Sequence, residues 1–442
     1  MYKQAASDLR KIDQGESLKR AVYNSKSPSK WIAPIYKICS NIQEHKPLLT
    51  KIYHSITDQD PVKNMHMMLV LIFELFLGPQ KIKGGGSLKR ILMKHKERVE
   101  HEFSAKIAKA RALIEKPKHQ PPVQVRHFVK NREFGLNVLK QLFKQEGIEE
   151  FGEGEDNPPK LRIDPIVDDL IHVDYKAYSQ LLKKDLLKDF IIQGFSSSLP
   201  VALLRKVLKK VEPGDLVMDT CSAPGNKTLQ LIKYFNRCRV IALERDQRRF
   251  QILENRLQSY VHGENAIFDV YNDDFMRSRP LGHENKRVRA LVLDPTCSGT
   301  GMRNRGQKVE KIPFKRLKQI SDMQLKLILH AAKFQNAEFV SYSTCSVERQ
   351  ENEFNVLRAL KKIREQGGRD VTLVDLRKFV DFEARGESDP VVKEGFLEGS
   401  LGQKYNSIVK RCLRVQKSEV CDGFFVAIFK LGPLKEVKTE TG

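Results

Sequence analysis

The sequence predicts an α/β protein: a doubly wound, parallel-rich sheet over 206–430, preceded by an all-helical domain over 1–115 and a small α+β segment over 123–205. Three observations carry that prediction. From about Lys206, short apolar runs that end in acidic or polar residues alternate with helical patterns, as strands do when they feed crossover helices. In Met67–Leu77 (MMLVLIFELFL) the apolar positions are too dense for one stripe, as in a helix buried inside a bundle. In Lys116–Pro122 (KPKHQPP) the prolines remove donors and push their neighbours out of the helical region, which marks a linker.

In chain order, Val125–Val129 and Phe190–Ile192 read as short strands on either side of an acidic, Pro/Gly-rich stretch, Gly152–Lys160. The main sheet is expected from Leu216–Asp219, Val240–Glu244, Ile267–Val270, Val288–Asp294, Phe339–Ser343 and Phe424–Lys430. A polar, flexible tail is expected over 431–442, and no internal repeat is seen.

Charge and cysteine content narrow the class. The 442 residues carry 78 Lys+Arg against 55 Asp+Glu, a net charge of +23. No apolar run reaches the ~18 residues of a spanning helix. The first residues lack the apolar core of a signal peptide. Seven cysteines with no CxxC pair argue against a disulfide framework or a zinc ribbon, so a reduced, soluble, intracellular protein without metal is expected. So basic a chain points to a polyanionic partner, nucleic acid above all, because each neutralised phosphate releases counterions. Lys81–Arg98 (KIKGGGSLKRILMKHKER) concentrates seven Lys and Arg plus His95 around three glycines, and RNA contact is expected there. The plain alternative is a loop followed by a solvated helix.

Asp215–Thr228 (DLVMDTCSAPGNKT) is a strand running through a tight loop into a helix, which offers bare backbone N–H groups to a polar ligand. Glu244 closes the next strand, 25 residues after Asp219, where an acid can accept from both ribose hydroxyls. The GxGxxG cradle for pyrophosphate is absent, and Asn226 interrupts any P-loop pattern, so a phosphate-free adenosine cofactor, S-adenosylmethionine, fits better. Asp273 and Asp274 follow the third strand, within reach of an adenine amino group.

LVLDPTCSGTG (291–301) and FVSYSTCSV (339–347) are two strands that each end in Thr-Cys-Ser, with Cys297 and Cys345 48 residues apart on the ligand-binding edge. A thiolate that adds to carbon 6 of a pyrimidine turns carbon 5 into an enamine nucleophile for a methyl sulfonium. One cysteine would attack while the other assists release, and the spacing leaves open which does which. Asp294 could hydrogen-bond ring nitrogen 3 and the amino group of cytosine. A target base would have to leave any stack, which favours single-stranded or remodelled RNA.

Together DTCSAPGNKT, ALERD, LVLDPTCSGTG, YSTCSVERQENE and DGFFVAIF resemble the NOL/NOP/Sun RNA cytosine-5 methyltransferases over Asp215–Phe429. ELFLGPQKIKGGGSLKRILMKHKER and DPTCSGTG resemble the fifth Sun-type branch, which acts on large-subunit ribosomal RNA. The resemblance implies a Rossmann-like methyltransferase sheet, S-adenosylmethionine as cofactor, Cys345 as nucleophile and Cys297 as the release residue. It places cofactor contacts on Cys221, Ser222, Ala223, Pro224, Gly225, Asn226 and Lys227, on Glu244, Arg249 and Asp274, and on Asp294, which also acts in catalysis. It further implies a monomer in the nucleus and nucleolus, with ribosomal RNA or a pre-ribosomal particle as partner.

Three positions depart from the family pattern: Gly194 where Asp is usual, Glu244 for Asp, and Lys130 where an Arg precedes the Asn. Two other readings use the same fold. An inactive RNA-binding assembly factor would share the charge but have no need of both cysteines with Asp294 and Glu244. DNA cytosine methyltransferases expect a Pro-Cys nucleophile, which Thr296–Cys297 only half resembles, and exocyclic-amine methyltransferases expect an aromatic after Pro-Pro, which is absent.

Overall fold

The computed structural model describes residues 1–16, 18–23, 28–115, 123–127, 132–149, 160–261, 267–302, 312–380, 391–418 and 421–434. The expected linker, nearly all of the acidic stretch, Lys130 and residues 435–442 lie outside these. The chain forms two compact units, one built on residues 1–120 and the other on the rest of the described chain.

The first unit is helical, as its dense apolar patterning requires. Leu9, Ile35, Ile42, Ile52, Ile72 and Phe76 form its core. The apolar run enters as the helix Met65–Ile72 and leaves as a π-helical turn, Phe73–Leu77, which is buried throughout. Glu74 within that turn is buried and accepts from the Tyr2 hydroxyl at 2.8 Å. The basic stretch that follows is only partly free for a partner. Lys89 bonds the carbonyls of Ile82 and Gly84 at 3.1 and 2.8 Å. Lys94 and the buried His95 both hold Asp60, at 2.9 and 2.6 Å. Arg98 bonds Ser55. Lys81, Lys83 and Arg90 remain exposed.

The second unit opens with β1 (Val123–His127), β2 (Leu161–Ile163), β3 (Ile171–Val173) and β4 (Phe190–Ile192), an antiparallel sheet in the order β2-β3-β1-β4. The large sheet follows: β5 (Leu216–Asp219), β6 (Arg239–Leu243), β7 (Phe268–Tyr271), β8 (Val288–Leu293), β9 (Phe339–Thr344), β10 (Arg369–Leu373), β11 (Val392–Glu394), β12 (Leu413–Val415) and β13 (Phe424–Leu434). Its order is β11-β12-β13-β9-β8-β5-β6-β7, with β10 also on β13. β5 to β9 run parallel and β13 lies antiparallel to β9. Strand order reverses between β5 and β8, and that switch point is where open α/β sheets bind ligands.

Three boundaries differ from the sequence reading; the first is that of β1, which starts at Val123 rather than Val125, with Phe128 and Val129 outside the described residues. The strand at the C-terminus continues to Leu434, so residues 431–434 belong to the sheet rather than to a tail, held by pairs such as Arg369↔Leu434. The helix Phe195–Val207 crosses the expected boundary at 205 because Phe195, Leu199 and Leu203 share one apolar core with Val217 and Val292 of the large sheet. The α+β segment and the sheet are therefore one folded unit. Among the described residues no helix is long and apolar enough to cross a membrane.

Candidate active site

β5 delivers the first loop. Asp219 ends the strand fully buried, with Thr228 donating to Oδ2 at 2.7 Å. Burial pushes its carboxyl up to about 6. Ser222 donates to the Asp219 carbonyl at 2.8 Å, Thr220 donates to the Val292 carbonyl at 3.1 Å, and the chain turns through a cis Ala223–Pro224 peptide. Gly225 then takes φ +106°, and a Cβ there would stand 3.1 Å from Leu253 Cδ1. Glycine makes this turn without strain and without pressing on Leu253 of the helix Gln247–Tyr260. The helix Asn226–Tyr234 starts at once, so its N-terminus faces the switch point.

β6 delivers Glu244, which is buried. Its Oε2 accepts from the Ala223 amide at 3.3 Å and faces Arg249 at 3.5 Å, and Oε1 accepts from the Asp246 amide at 3.0 Å. Arg249 also donates to the Ala223 carbonyl at 2.6 Å. Asn272 ties the Glu244 carbonyl to the end of β7 at 2.7 Å. Asp274 lies in the same neighbourhood but caps a 3-10 turn, accepting from the Met276 amide at 3.0 Å, and faces Arg245 at 3.5 Å. Desolvation raises the Cys221 thiol to about 12, which makes it a neutral wall of the loop.

The loop fits an adenosine-type cofactor on this structure's own terms. Among the described residues, Asp219 Oδ1 and Asn226 Oδ1 are buried without a hydrogen-bond partner at its base. Orphaned acceptors of this kind are matched by a ligand that brings donors, such as an amino acid ammonium and ribose hydroxyls.

The second loop pair comes from β8 and β9. Cys297 Sγ lies 3.1 Å from Cys345 Sγ. Either thiol of the pair can donate; with Cys297 as the donor, the bond holds the Cys345 thiol below the ordinary range, and the Lys227 ammonium adds to the effect. The same bond and burial push Cys297 well up. Asp294 stands between the two loops: Lys227 Nζ donates to Oδ2 at 2.6 Å and Ser343 Oγ to Oδ1 at 2.8 Å. Lys227 Nζ also donates to Ser197 Oγ at 3.0 Å and lies 5.4 Å from the Phe424 ring centroid.

Gly301 packs so closely that a Cβ would fall 2.2 Å from the Gly423 carbonyl oxygen, and its amide donates to the Cys345 carbonyl at 3.0 Å. Behind the thiols lies a buried polar lattice that sequence reasoning did not find. Glu351, Asn352, Gln324, Ser346 and Thr300 are buried and joined by hydrogen bonds, Thr344 to Asn352 at 2.6 Å among them. The only signal was the polar run ENE after YSTCS, which reads equally well as a solvated helix start.

Gly194 caps the helix Phe195–Val207, and a Cβ there would meet only Gln124 Oε1, at 4.0 Å. Where the family usually carries an aspartate, this chain has open space.

A sheet of this order, with a glycine turn and a strand-end carboxylate at its switch point, is that of S-adenosylmethionine-dependent methyltransferases. Within that class the chain belongs to the family described as 16S rRNA methyltransferase RsmB/F, whose model matches residues 206–430. It is 28% identical over 386 residues to the 25S rRNA (cytosine-C(5))-methyltransferase rcm1 of Schizosaccharomyces pombe, over 82% of this chain and 79% of that protein. It is 27% identical over 390 residues to the 28S rRNA (cytosine-C(5))-methyltransferase of Mus musculus, over 82% of this chain and 80% of that protein. A methyltransferase homologue from Pyrococcus horikoshii shares the fold, with a TM-score of 0.50 and 20% identity over 78% of this chain and 95% of that one.

Proposed function

We propose that the protein forms 5-methylcytosine in RNA, specifically in large-subunit ribosomal RNA, through a covalent bond from Cys345 to carbon 6 of the target cytosine. The observation that carries this reading is the thiol pair, 3.1 Å apart at the ends of two neighbouring parallel strands. The relatives above are named for large-subunit ribosomal RNA, and the +23 net charge suits such a partner. They give no support to an inactive assembly factor. Their eukaryotic sources support action in the nucleus and nucleolus, on free RNA or a pre-ribosomal particle.

S-adenosylmethionine, when bound, supplies an electrophilic methyl group. Glu244, Arg249, Asp274 and the Cys221–Lys227 loop would hold it, with Asp294 at the boundary between cofactor and base. The Cys345 thiolate attacks carbon 6, and the ring electrons displaced to carbon 5 make that carbon the nucleophile. Asp294 orients the base by accepting from its amino group, and from ring nitrogen 3 once that nitrogen carries a proton. After methyl transfer a base, such as a water molecule in the pocket, takes the carbon 5 proton; the electrons of that C–H bond re-form the ring double bond and expel the Cys345 thiolate. Cys297, already hydrogen-bonded to Cys345, stabilises the departing sulfur. None of these steps asks for a metal ion or a second chain, so a monomer suffices.

Incubating the purified protein with labelled S-adenosylmethionine and ribosomal RNA from cells lacking the gene tests the proposal. Label should enter carbon 5 of cytosine, and Cys345→Ala should reduce transfer to background. Undiminished transfer by Cys345→Ala would overturn the assignment.

A further inference from the structure

One carboxylate behind the thiols joins both cysteine loops. Glu351 is fully buried. Its Oε1 accepts from the Ser298 amide at 2.9 Å and from Gln324 Nε2 at 2.8 Å. Its Oε2 accepts from Ser346 Oγ at 2.6 Å. Ser298 follows Cys297 and Ser346 follows Cys345. Gln324 reinforces the span by donating also to the carbonyl of Thr296, the residue before Cys297, at 3.1 Å. Ser298 Oγ donates to Ser346 Oγ at 2.9 Å, which closes the ring of contacts.

A carboxylate only accepts, so it gathers donors from several directions, and its bonds are about twice as strong as neutral ones. Moving either loop away would leave a buried charge short of donors, which is costly. This side chain therefore pins the loops to each other, beside the direct Ser298–Ser346 and Gly301–Cys345 bonds.

We propose that Glu351 is the positioning residue that fixes the Cys297 and Cys345 sulfurs at proton-sharing distance, by taking hydrogen bonds from both cysteine loops at once. The proposal rests on the reading of Cys345 as nucleophile and Cys297 as its release partner. Glu351 acts by geometry rather than by charge: the acid that weighs on both thiols is Asp294, and the cation facing Cys345 is Lys227. Glu351→Gln keeps an acceptor for Ser298 and Gln324 and offers Ser346 Oγ a donor, which that hydroxyl accepts once Ser298 Oγ and Ser346 Oγ turn their protons to Thr300 Oγ1 and Ser298 Oγ, so it preserves the span. Glu351→Ala removes the span.

The test is the pH dependence of iodoacetamide labelling at Cys345 and Cys297 in the full chain without RNA, read by peptide mass spectrometry. In the parent protein and in Glu351→Gln, Cys345 should label before Cys297, with a midpoint below the ordinary thiol value of about 8.5. In Glu351→Ala the Cys345 midpoint should rise, slowing labelling at pH 7 about ten-fold for each unit of the rise, and the preference between the thiols should shrink. S-adenosylmethionine binding by calorimetry should be the same in all three proteins. A folded Glu351→Ala with the parent labelling profile would overturn the proposal. Should Glu351→Ala fail to fold, Ser346→Ala deletes one arm of the span and must shift the Cys345 midpoint the same way by a smaller amount; an unshifted midpoint overturns the proposal equally. Labelling needs neither RNA nor methyl transfer, so this outcome is independent of the Cys345→Ala transfer assay.

Discussion

The cofactor loop and the cysteine loops stand side by side on the carboxyl edge of one sheet, yet they are held by different means. The loop after β5 takes its shape mainly from the backbone: a cis proline, a glycine at φ +106° and a helix that begins at the next residue. The loops after β8 and β9 are shaped by side chains, with Glu351, Gln324, Ser346 and Asn352 locking segments that are distant in the chain. A bound nucleoside can be cradled by amides, and amides come with any residue. Thiols that must share a proton need their sulfurs fixed to a fraction of an ångström, and only packed, hydrogen-bonded side chains do that. Lys227 joins the two halves, since it lies in the cofactor loop and pairs with Asp294 beside the cysteines.

That joint is where substitution should act on both halves. Lys227→Met leaves the Asp294 carboxylate without its cation and takes a positive charge from beside Cys345. Its thiol should rise, so that the thiolate fraction at pH 7 falls about ten-fold per unit, and cofactor affinity should fall in the same variant. Rate measurements from pH 7 to 9 check the sign, because part of the methyl-transfer rate should return as pH rises. A variant that lost only one of the two functions would break the claim that Lys227 couples them.

Glu244→Gln should act on one half alone. Losing a buried charged acceptor costs about 2 kcal/mol, roughly thirty-fold in S-adenosylmethionine affinity by calorimetry. Iodoacetamide labelling of Cys345 should be unchanged, and a change would mean that the two loops are not separately held.

Asp219 bears on stability rather than on the thiol chemistry. Its folded-state carboxyl sits at about 6 against an ordinary value of 3.8, so the folded state holds the proton more tightly than the unfolded chain. The protein should therefore be most favoured, from this group, below about pH 4, and lose that contribution as pH rises through 6. Asp219→Asn cannot ionise and should remove the dependence, gaining up to about 3 kcal/mol at pH 7 in denaturant titrations. An identical pH–stability curve for the variant between pH 4 and 7 would contradict the burial argument.

What the sequence disclosed follows the same division. Backbone constraints are local, so DTCSAPGNKT announced its loop, and the six main strands start within one residue of their expected positions. Cys297 and Cys345 were legible as a pair because two matching strand ends carry them. Glu351 was not, because its partners Gln324 and Ser298 lie 27 and 53 residues away and no local pattern links them. Four of the five three-residue strands, β2, β3, β11 and β12, were not legible because so short a run shows no alternation; β4 was read from its apolar run FII alone. The basic run Lys81–Arg98 overstated its free charge for the same reason, since Asp60, which engages Lys94 and His95, is more than thirty residues away.

Peptide mapping of the protein–RNA adduct in Cys297→Ala, incubated with S-adenosylmethionine and substrate RNA, tests the division of labour between the two thiols most directly. With release impaired, a covalent adduct should accumulate, and its nucleotide should be found on the peptide containing Cys345. No adduct in this variant, or an adduct on Cys297 in Cys345→Ala, would contradict the account.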